Sequence, residues 1–374
     1  MKKRKIAVLG ANLPLLNFYR RAQILNYEIH SFAWEDGAIC KSLADYFYPI
    51  SFTETQKIAD LCKEKGIEMV TSFSLESALP FVYEIAQIMG WACPSESNRV
   101  LCANKLTMRK AFHRHGVSIP FFIDTDDINC LVSSFPVIVK PIDSGGSRGV
   151  TRVDNAEQLP LAIERAKSFS TSQRVLIEQY IDGPEFSVEV ISHLGAHYVV
   201  AITEKVTTGA PNFVELAHFQ PAMVSDAERN KIVELVGQAL DTLEHEEGPS
   251  HTEVRFDQKG NCFIIEVGTR LGGDFITSDL VRLSTGYDLV EATIELACGN
   301  FIIPEITEQK FSGVYFKSPE TMEMWKSIAL LRTKDFFIES EEWSKDNKVL
   351  TESSDRLGYY IYQHDERLKL NGTF

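Results

Sequence analysis

Over the first quarter of the chain, short apolar runs alternate with segments of helical spacing. KIAVLG (5–10) has the form of a buried parallel strand entering a turn, and a helix-like segment follows near 14–26. EIHSFAW (28–34) is a second strand, IADLCKEKG has helical spacing with a glycine stop, and IEMVTSF is the next strand. SLESALPFVYEIAQIMG is then a helix stopped by Gly90. This alternation predicts a doubly wound parallel sheet over residues 1–95.

Beyond that point the pattern changes. A helix is expected over Asn98–His115 with Gly116 as its stop, then a strand, FPVIVKP, at 135–141. The loop DSGGSRGV leads to a strand (VTRVD), a helix over 156–169 and another strand, RVLIEQYI. FSVEVISHLGAHYVVAITEKV predicts a hairpin turning at Leu194-Gly195, followed by a helix near 226–245. SHTEVRFDQKGNCFIIEVGTR predicts two strands joined by a turn at Asp257–Asn261. Residues 275–298 have helical character, and the tail from about 305 alternates short strands and helices.

Several polar residues stand out against this pattern. In the loop Asp143–Val150, the small residues Ser144, Gly145, Gly146, Ser147 and Gly149 let backbone N–H groups turn inward as an anion nest, and Lys140 adds a point charge. An ordinary hairpin turn is the competing reading, and the loop is not of the G-x-x-x-x-G-K-[ST] type. Lys105 is either a solvated helix charge or a second phosphate contact. Glu178-Gln179-Tyr180-Ile181 ends a strand where a turn can expose backbone groups to an adenine edge, and Glu185 can accept from ribose hydroxyls. Glu253 lies in HTEVRF with His251 and Arg255 on its face by the two-residue period, and Glu266 lies in IIEVG. Two glutamates in otherwise apolar adjacent strands are costly to bury unless they are paired or hold a hard cation such as magnesium. A Glu–Arg network between strands remains the alternative. Arg270 is placed to clamp a phosphoryl or carboxylate group. Ser74 and Glu76 follow a predicted strand at its carboxyl end, where open α/β sheets bind ligands. Glu76 can meet an ammonium group or simply oppose a helix dipole.

Charge and composition narrow the class. With 38 basic and 52 acidic residues the net charge is −14, which argues against nucleic acid and anionic membranes as partners. Seven cysteines, with no C-x-x-C pair, predict buried free thiols in a reducing compartment. The basic start is followed by an apolar run too short for a signal peptide or a membrane span, so a cytoplasmic location is expected.

Taken in order, these pieces resemble the ATP-grasp superfamily. Asn104-Lys105, Arg109, Gly116 and Pro120 resemble its N-K-x3-R…G-[IV]-x-x-P element, and VIVKP with SGGSRGV resembles its second lysine and flexible glycine loop. Glu178–Ile181 resembles its hinge and Glu185 its ribose-binding acid. Glu253, then Glu266 in EVGTRLGGD, resembles its magnesium carboxylates and its E-x-N-x-R-x-G-G element. The resemblance implies an α/β and α+β architecture in four parts. These are a pre-ATP-grasp Rossmann-like domain (1–95), a small ATP-grasp subdomain with a linker helix (96–175), a large subdomain with the metal site (176–304) and a C-terminal subdomain (305–374). It further implies ATP and Mg²⁺ as cofactors, with Mn²⁺ as a substitute. Lys105 and Lys140 would then lie on the phosphates, and Glu253 and Glu266 on the metal. Arg270, Lys140 and Glu266 would do the chemistry.

HTE and EVGTRLGGDFI are most similar to the carboxylate–amine ligases that join amino acids. That implies a small carboxylate and an amine as substrates, with Glu76, Ser74, His251, Gly272 and Gly273 near them. A homodimer is a family-level expectation. The sequence departs from the pattern at Gly268, where the superfamily usually has Asn, which leaves the metal one contact short. Three rivals are weighed: a bicarbonate-using carboxylase or carbamoyl-phosphate-type enzyme, a non-catalytic nucleotide binder, and a dinucleotide oxidoreductase suggested by VLGAN. The last lacks the G-x-G-x-x-G turn.

Overall fold

The computed structural model describes residues 3–146, 148–331, 337–343 and 349–368, so the predicted loop residue Ser147 lies outside the described residues. The first sheet is parallel, in the order β3-β2-β1-β4, with β1 (Lys5–Leu9), β2 (Glu28–Phe32), β3 (Tyr46–Tyr48) and β4 (Met69–Thr71). Successive residues of β1 feed opposite faces. Ile6 and Val8 pack with α1 (Leu16–Ile24), while Ala7 and Leu9 pack with α2 (Thr55–Lys65) and α3 (Leu79–Met89). Both faces are thus covered, as a parallel sheet requires. The segment near 14–26 divides, because Pro14 begins a short 3₁₀ turn, Leu13–Leu15, ahead of α1.

The helix expected over 98–115 is two helices, α4 (Glu96–Leu101) and α5 (Lys105–His115). Asn104 adopts an extended backbone, and its side chain accepts from Thr107 N at 2.9 Å, so it caps a new helix instead of continuing the old one. A second, antiparallel sheet of order β5-β8-β6-β7 follows, from β5 (Phe122–Thr125), β6 (Val137–Pro141), β7 (Thr151–Val153) and β8 (Val175–Gln179). Its apolar face packs on α6 (Leu159–Ser168).

Eight antiparallel strands form the third sheet, in the order β13-β12-β9-β10-β11-β14-β16-β15. They are β9 (Glu185–His193), β10 (Ala196–Thr207), β11 (Glu215–Gln220), β12 (Gly248–Phe256), β13 (Cys262–Gly268), β14 (Phe311–Lys317), β15 (Phe337–Glu342) and β16 (Gly358–His364). The β9–β10 hairpin turns at Leu194-Gly195, both at positive φ. Phe186, Val188 and Val190 of β9 face α7 (Asp226–Thr242) and α5, leaving Glu185, Ser187 and Glu189 to the other face. The helix expected over 275–298 is also interrupted. A π-helical turn (Ile276–Leu280) runs into α8 (Val281–Thr285), which Gly286 stops at φ +75°, and Asp288 then caps α9 (Leu289–Ala297). The last helix is α10 (Met322–Leu331).

All seven cysteines are free; Cys40, Cys62 and Cys262 are buried and the other four are half-buried, so the expectation of burial holds for only part of the set. No helix among the described residues is long and apolar enough to cross a membrane.

Candidate active site

The central carboxylates owe their placement to a β-bulge. Glu253 of β12 is paired directly with Glu266 of β13, and one residue on Val254 pairs with Ile264, so Ile265 is the extra residue. Without it, Ile264 and Glu266 would share a face. With it, Ile264 and Val267 stay in the core and Glu266 turns to the cleft, the re-aiming that bulges provide. The Ile265 carbonyl takes a hydrogen bond from the Arg109 guanidinium of α5.

A cleft of about 130 Å³ lies between the second and third sheets and brings most of the predicted residues together. Lys105, the first residue of α5, reaches Glu266 Oε1 at 2.8 Å and donates to the Ser144 carbonyl at 3.1 Å. It is not a solvated helix charge. Burial alone would lower its ammonium, but Glu266 and Glu76 overcome this and hold it above the ordinary lysine value. Lys140 of β6 meets Glu178 Oε2 at 2.5 Å, and Arg109 grips the other oxygen of that carboxylate. Burial opposes the charge on Glu178, yet Arg109 and Lys140 bring its carboxyl down to about 2. Burial, helped by Arg109, pushes the Lys140 ammonium down. The Glu178 side chain is therefore committed to holding Lys140.

Glu185 and Glu253 converge on a residue that local motifs did not single out. Lys205 of β10 lies 2.8 Å from Glu185, 2.5 Å from Glu253 and 3.9 Å from Glu215, and these three acids raise it far above its usual value despite burial. What identifies Lys205 is its direct pairing opposite Glu185 in the β9–β10 ladder. Arg255, on the Glu253 face as the two-residue period predicts, bonds Glu185 Oε2 at 3.0 Å and the Ile181 carbonyl at 3.0 Å. Tyr180 lies beneath Arg152 and Arg255 and near Phe213, an aromatic surface beside the hinge backbone. Gly183 is required there, since a Cβ would stand 2.1 Å from the Phe256 carbonyl. Ser144, Gly145 and Gly146 line the cleft; Gly149 packs against Phe169 instead.

The donor set fits a divalent cation. Like charges directly opposite on neighbouring strands repel; burial and Glu253 both push the Glu266 carboxyl up, but Lys105 and Lys140 hold it below its usual value. Four cations (Lys105, Lys140, Lys205, Arg255) and five carboxylates (Glu178, Glu185, Glu215, Glu253, Glu266) line the cleft. The walls hold no surplus positive charge for a triphosphate, so an anion of that kind must bring its own cation. Glu253 and Glu266 are the carboxylates that would hold it. A Cβ on Gly268 would lie 3.1 Å from Arg270 Cζ, so the glycine at this position also makes room for the guanidinium.

Of the remaining predicted residues, Glu76 and Arg270 border a second space, whereas Ser74, His251, Gly272 and Gly273 are in the lining of neither. Arg270 lines a larger cavity with Glu76 and Gly268, outside the lining of the cleft; its Nη1 donates to the Leu271 carbonyl, and its buried Nε has no partner among the described residues. Glu76 reaches across towards the loop, where a Cβ on Gly145 would touch its carboxylate at 2.9 Å. Ser74 lies instead against Gly273. His251 bonds Glu189 Oε1 at 2.6 Å and stands 3.8 Å from Glu253; burial would lower its pKa, but Glu189 lifts it to about 9. Gly272 is the close neighbour of this pair, where a Cβ would come within 2.7 Å of His251 Nδ1. Glu189 was not anticipated: it is an acid in an apolar strand, legible only once β9 and β12 are paired.

Comparisons with known proteins agree with this geometry. A family model described as an ATP-grasp domain matches residues 133–279. An uncharacterised protein of Sinorhizobium fredii is 29% identical over 249 residues, 64% of this chain and 50% of its own length. A D-alanine–D-alanine ligase of Pseudomonas putida is 26% identical over 187 residues, 46% of this chain and 56% of its own. The chain thus spans about half the length of these two curated relatives. The crystal structure of an L-amino acid ligase from Bacillus licheniformis superposes with a TM-score of 0.82 at 22% identity, covering 98% of this chain and 95% of that one.

Proposed function

We infer that this chain, which carries an ATP-grasp domain over residues 133–279, is an ADP-forming ligase that activates a carboxylate and passes the acyl group to an amine. The observation that carries the reading is the opposed pair Glu253–Glu266, flanked by Lys205 and Lys105, in one cleft with Lys140 and the glycine loop.

Tyr180 and the hinge backbone offer a stacking face and hydrogen-bond edge for adenine, and Glu185 accepts from the ribose. Lys105 exchanges Glu266, and Lys205 exchanges Glu253, for phosphate oxygens, which frees both glutamates for a metal, while Lys140 meets the phosphates from its place on Glu178. Glu253 and Glu266 would hold a divalent cation, which when bound would supply charge neutralisation at the transferred phosphoryl group. On the other side of Glu266, Arg270 orients the acceptor carboxylate and faces the negative charge of the tetrahedral intermediate. Ser144, Gly145 and Gly146, in the cleft lining, help to exclude water, since an acyl phosphate hydrolyses when exposed. Support for amino acids as substrates comes from the ligases named among the relatives and from Glu76 and Arg270, which suit an ammonium and a carboxylate.

The test is ADP release from Mg-ATP across pairs of amino acids, with bicarbonate as a separate arm. Release that needs two amino acids, with a dipeptide formed, is the expected result. Release with bicarbonate alone, or no stimulation by any amine, would overturn the reading.

A further inference from the structure

A cavity of about 290 Å³, the larger of the two spaces, lies where β4, α3 and residues 91–103 meet β12, β13 and α9. Phe73, Tyr83, Ala86, Trp91, Leu271 and Leu296 form much of its wall. Glu76 and Arg270 are in its lining beside the chain that leads to Glu266, and the Arg270 Nε has no partner among the described residues. An apolar cavity of roughly 150 Å³ is already sufficient to take up benzene. This one is nearly twice that size and bordered by a carboxylate and a guanidinium.

We propose that this cavity receives the side chain of an α-amino acid substrate and selects a large apolar one, of branched-alkyl, thioether or aromatic type. The proposal rests on the ligase reading and adds a substrate class to it. Glu76 meets the ammonium group, Arg270 the carboxylate, and the side chain enters the space between α3 and α9. Glycine or alanine would leave most of that space unfilled and forfeit contacts on every wall. Each methylene that fills an apolar pocket changes discrimination by roughly 10-fold or more, so leucine, methionine or phenylalanine gains several such steps over alanine. The other charges on these walls, Arg99 and Glu247, are already paired with Glu96 and His193, so a charged substrate side chain gains no free counterion, which disfavours lysine, arginine, aspartate and glutamate.

Two variants narrow the space from opposite walls: Val82→Phe on α3 and Thr293→Phe on α9. Binding of L-phenylalanine and of L-alanine to the full chain with Mg-ADP is measured by calorimetry, which needs no turnover, beside the ADP-release assay. The wild type is expected to bind phenylalanine at least about 10-fold more tightly than alanine. Either variant should weaken phenylalanine by a similar factor and leave alanine within about twofold. A melting transition like that of the wild type checks that each variant is folded; if one fails, the other decides. Equal binding of the two amino acids, or unchanged phenylalanine binding in a folded variant, overturns the proposal. Tight phenylalanine binding without amino-acid-dependent ADP release would sink the ligase reading and leave the cavity assignment standing.

Discussion

The cleft lined by Lys105, Lys140, Lys205, Glu253 and Glu266 and the cavity lined by Phe73, Tyr83, Trp91 and Leu296 share the Glu266–Arg270 stretch of chain between them. They differ in what fixes their walls. In the cleft nearly every side chain is held by an opposite charge: Lys105 by Glu266, Lys140 and Arg109 by Glu178, Lys205 by Glu185 and Glu253. A ligand must replace those pairings, so recognition there is an exchange of ionic partners and is sensitive to pH. In the cavity the walls are held by packing, and recognition is a matter of volume. One space is suited to discriminate by charge and the other by shape, and the proposed reaction would use both.

The comparison can be tested from its strongest expected effect downwards. Glu266→Ala should lower kcat for ADP release by at least about 10²–10³-fold while the melting curve stays cooperative; near-normal turnover would remove Glu266 from the reaction. Glu178→Gln should cost about 3–5 kcal/mol at neutral pH, since it strands Arg109 and Lys140 in a buried setting. The sign with pH is fixed: the Glu178 carboxyl titrates at about 2 in the folded chain against 4.5 when unfolded. Its contribution is therefore full above pH 4.5 and is lost as pH falls towards 2. Denaturation midpoints of the two proteins should converge over that window, and a gap that stays constant would break the assignment. Leu296→Ala, in the cavity wall, should cost about 2–4 kcal/mol with no pH dependence and no change in the KM for ATP; a raised ATP KM would show that the two spaces are not separable. Smallest is Gly268→Asn, expected to shift the half-saturating Mg²⁺ concentration and the amino-acid KM by a few-fold in opposite directions, since the new side chain adds an oxygen but crowds Arg270. Identical Mg²⁺ curves would sink the idea that Gly268 leaves the metal one contact short.

Charge and shape also differ in how far they can be read from the chain. The cleft is built from short contiguous elements: VIVKP with its glycine loop, the 178–181 hinge, and Glu253 and Glu266 on adjacent strands. Each of these was visible in sequence because local spacing sets which way a strand residue points. Lys205 and Glu189 were not, since their meaning lies in cross-strand register, and the bulge at Ile265 could not be seen without the β12–β13 pairing. The cavity takes its walls from at least six separate stretches, of which only 267–271 lies in a motif, so packing assembles it. Helix breaks were lost for a related reason. Asn104 and Gly286 are ordinary residues within an apolar period, and only their backbone conformation makes them caps and stops.

The eight-stranded sheet runs without a break from Glu253 and Glu266 to the C-terminal strands, and this bears on how the chain can be shortened. The outer edge of β11 is occupied by β14 along Ala217, His218, Phe219 and Gln220. Arg356, just ahead of β16, forks onto Asp274 in the loop that follows Arg270. A chain ending before Phe311 would keep every described residue of the Glu253–Glu266 cleft and still present that bare strand edge, with buried aromatic neighbours, to solvent. Such an edge is a template for pairing between molecules. Loss of the C-terminal strands should therefore show first as aggregation in the soluble fraction and only afterwards as lost chemistry.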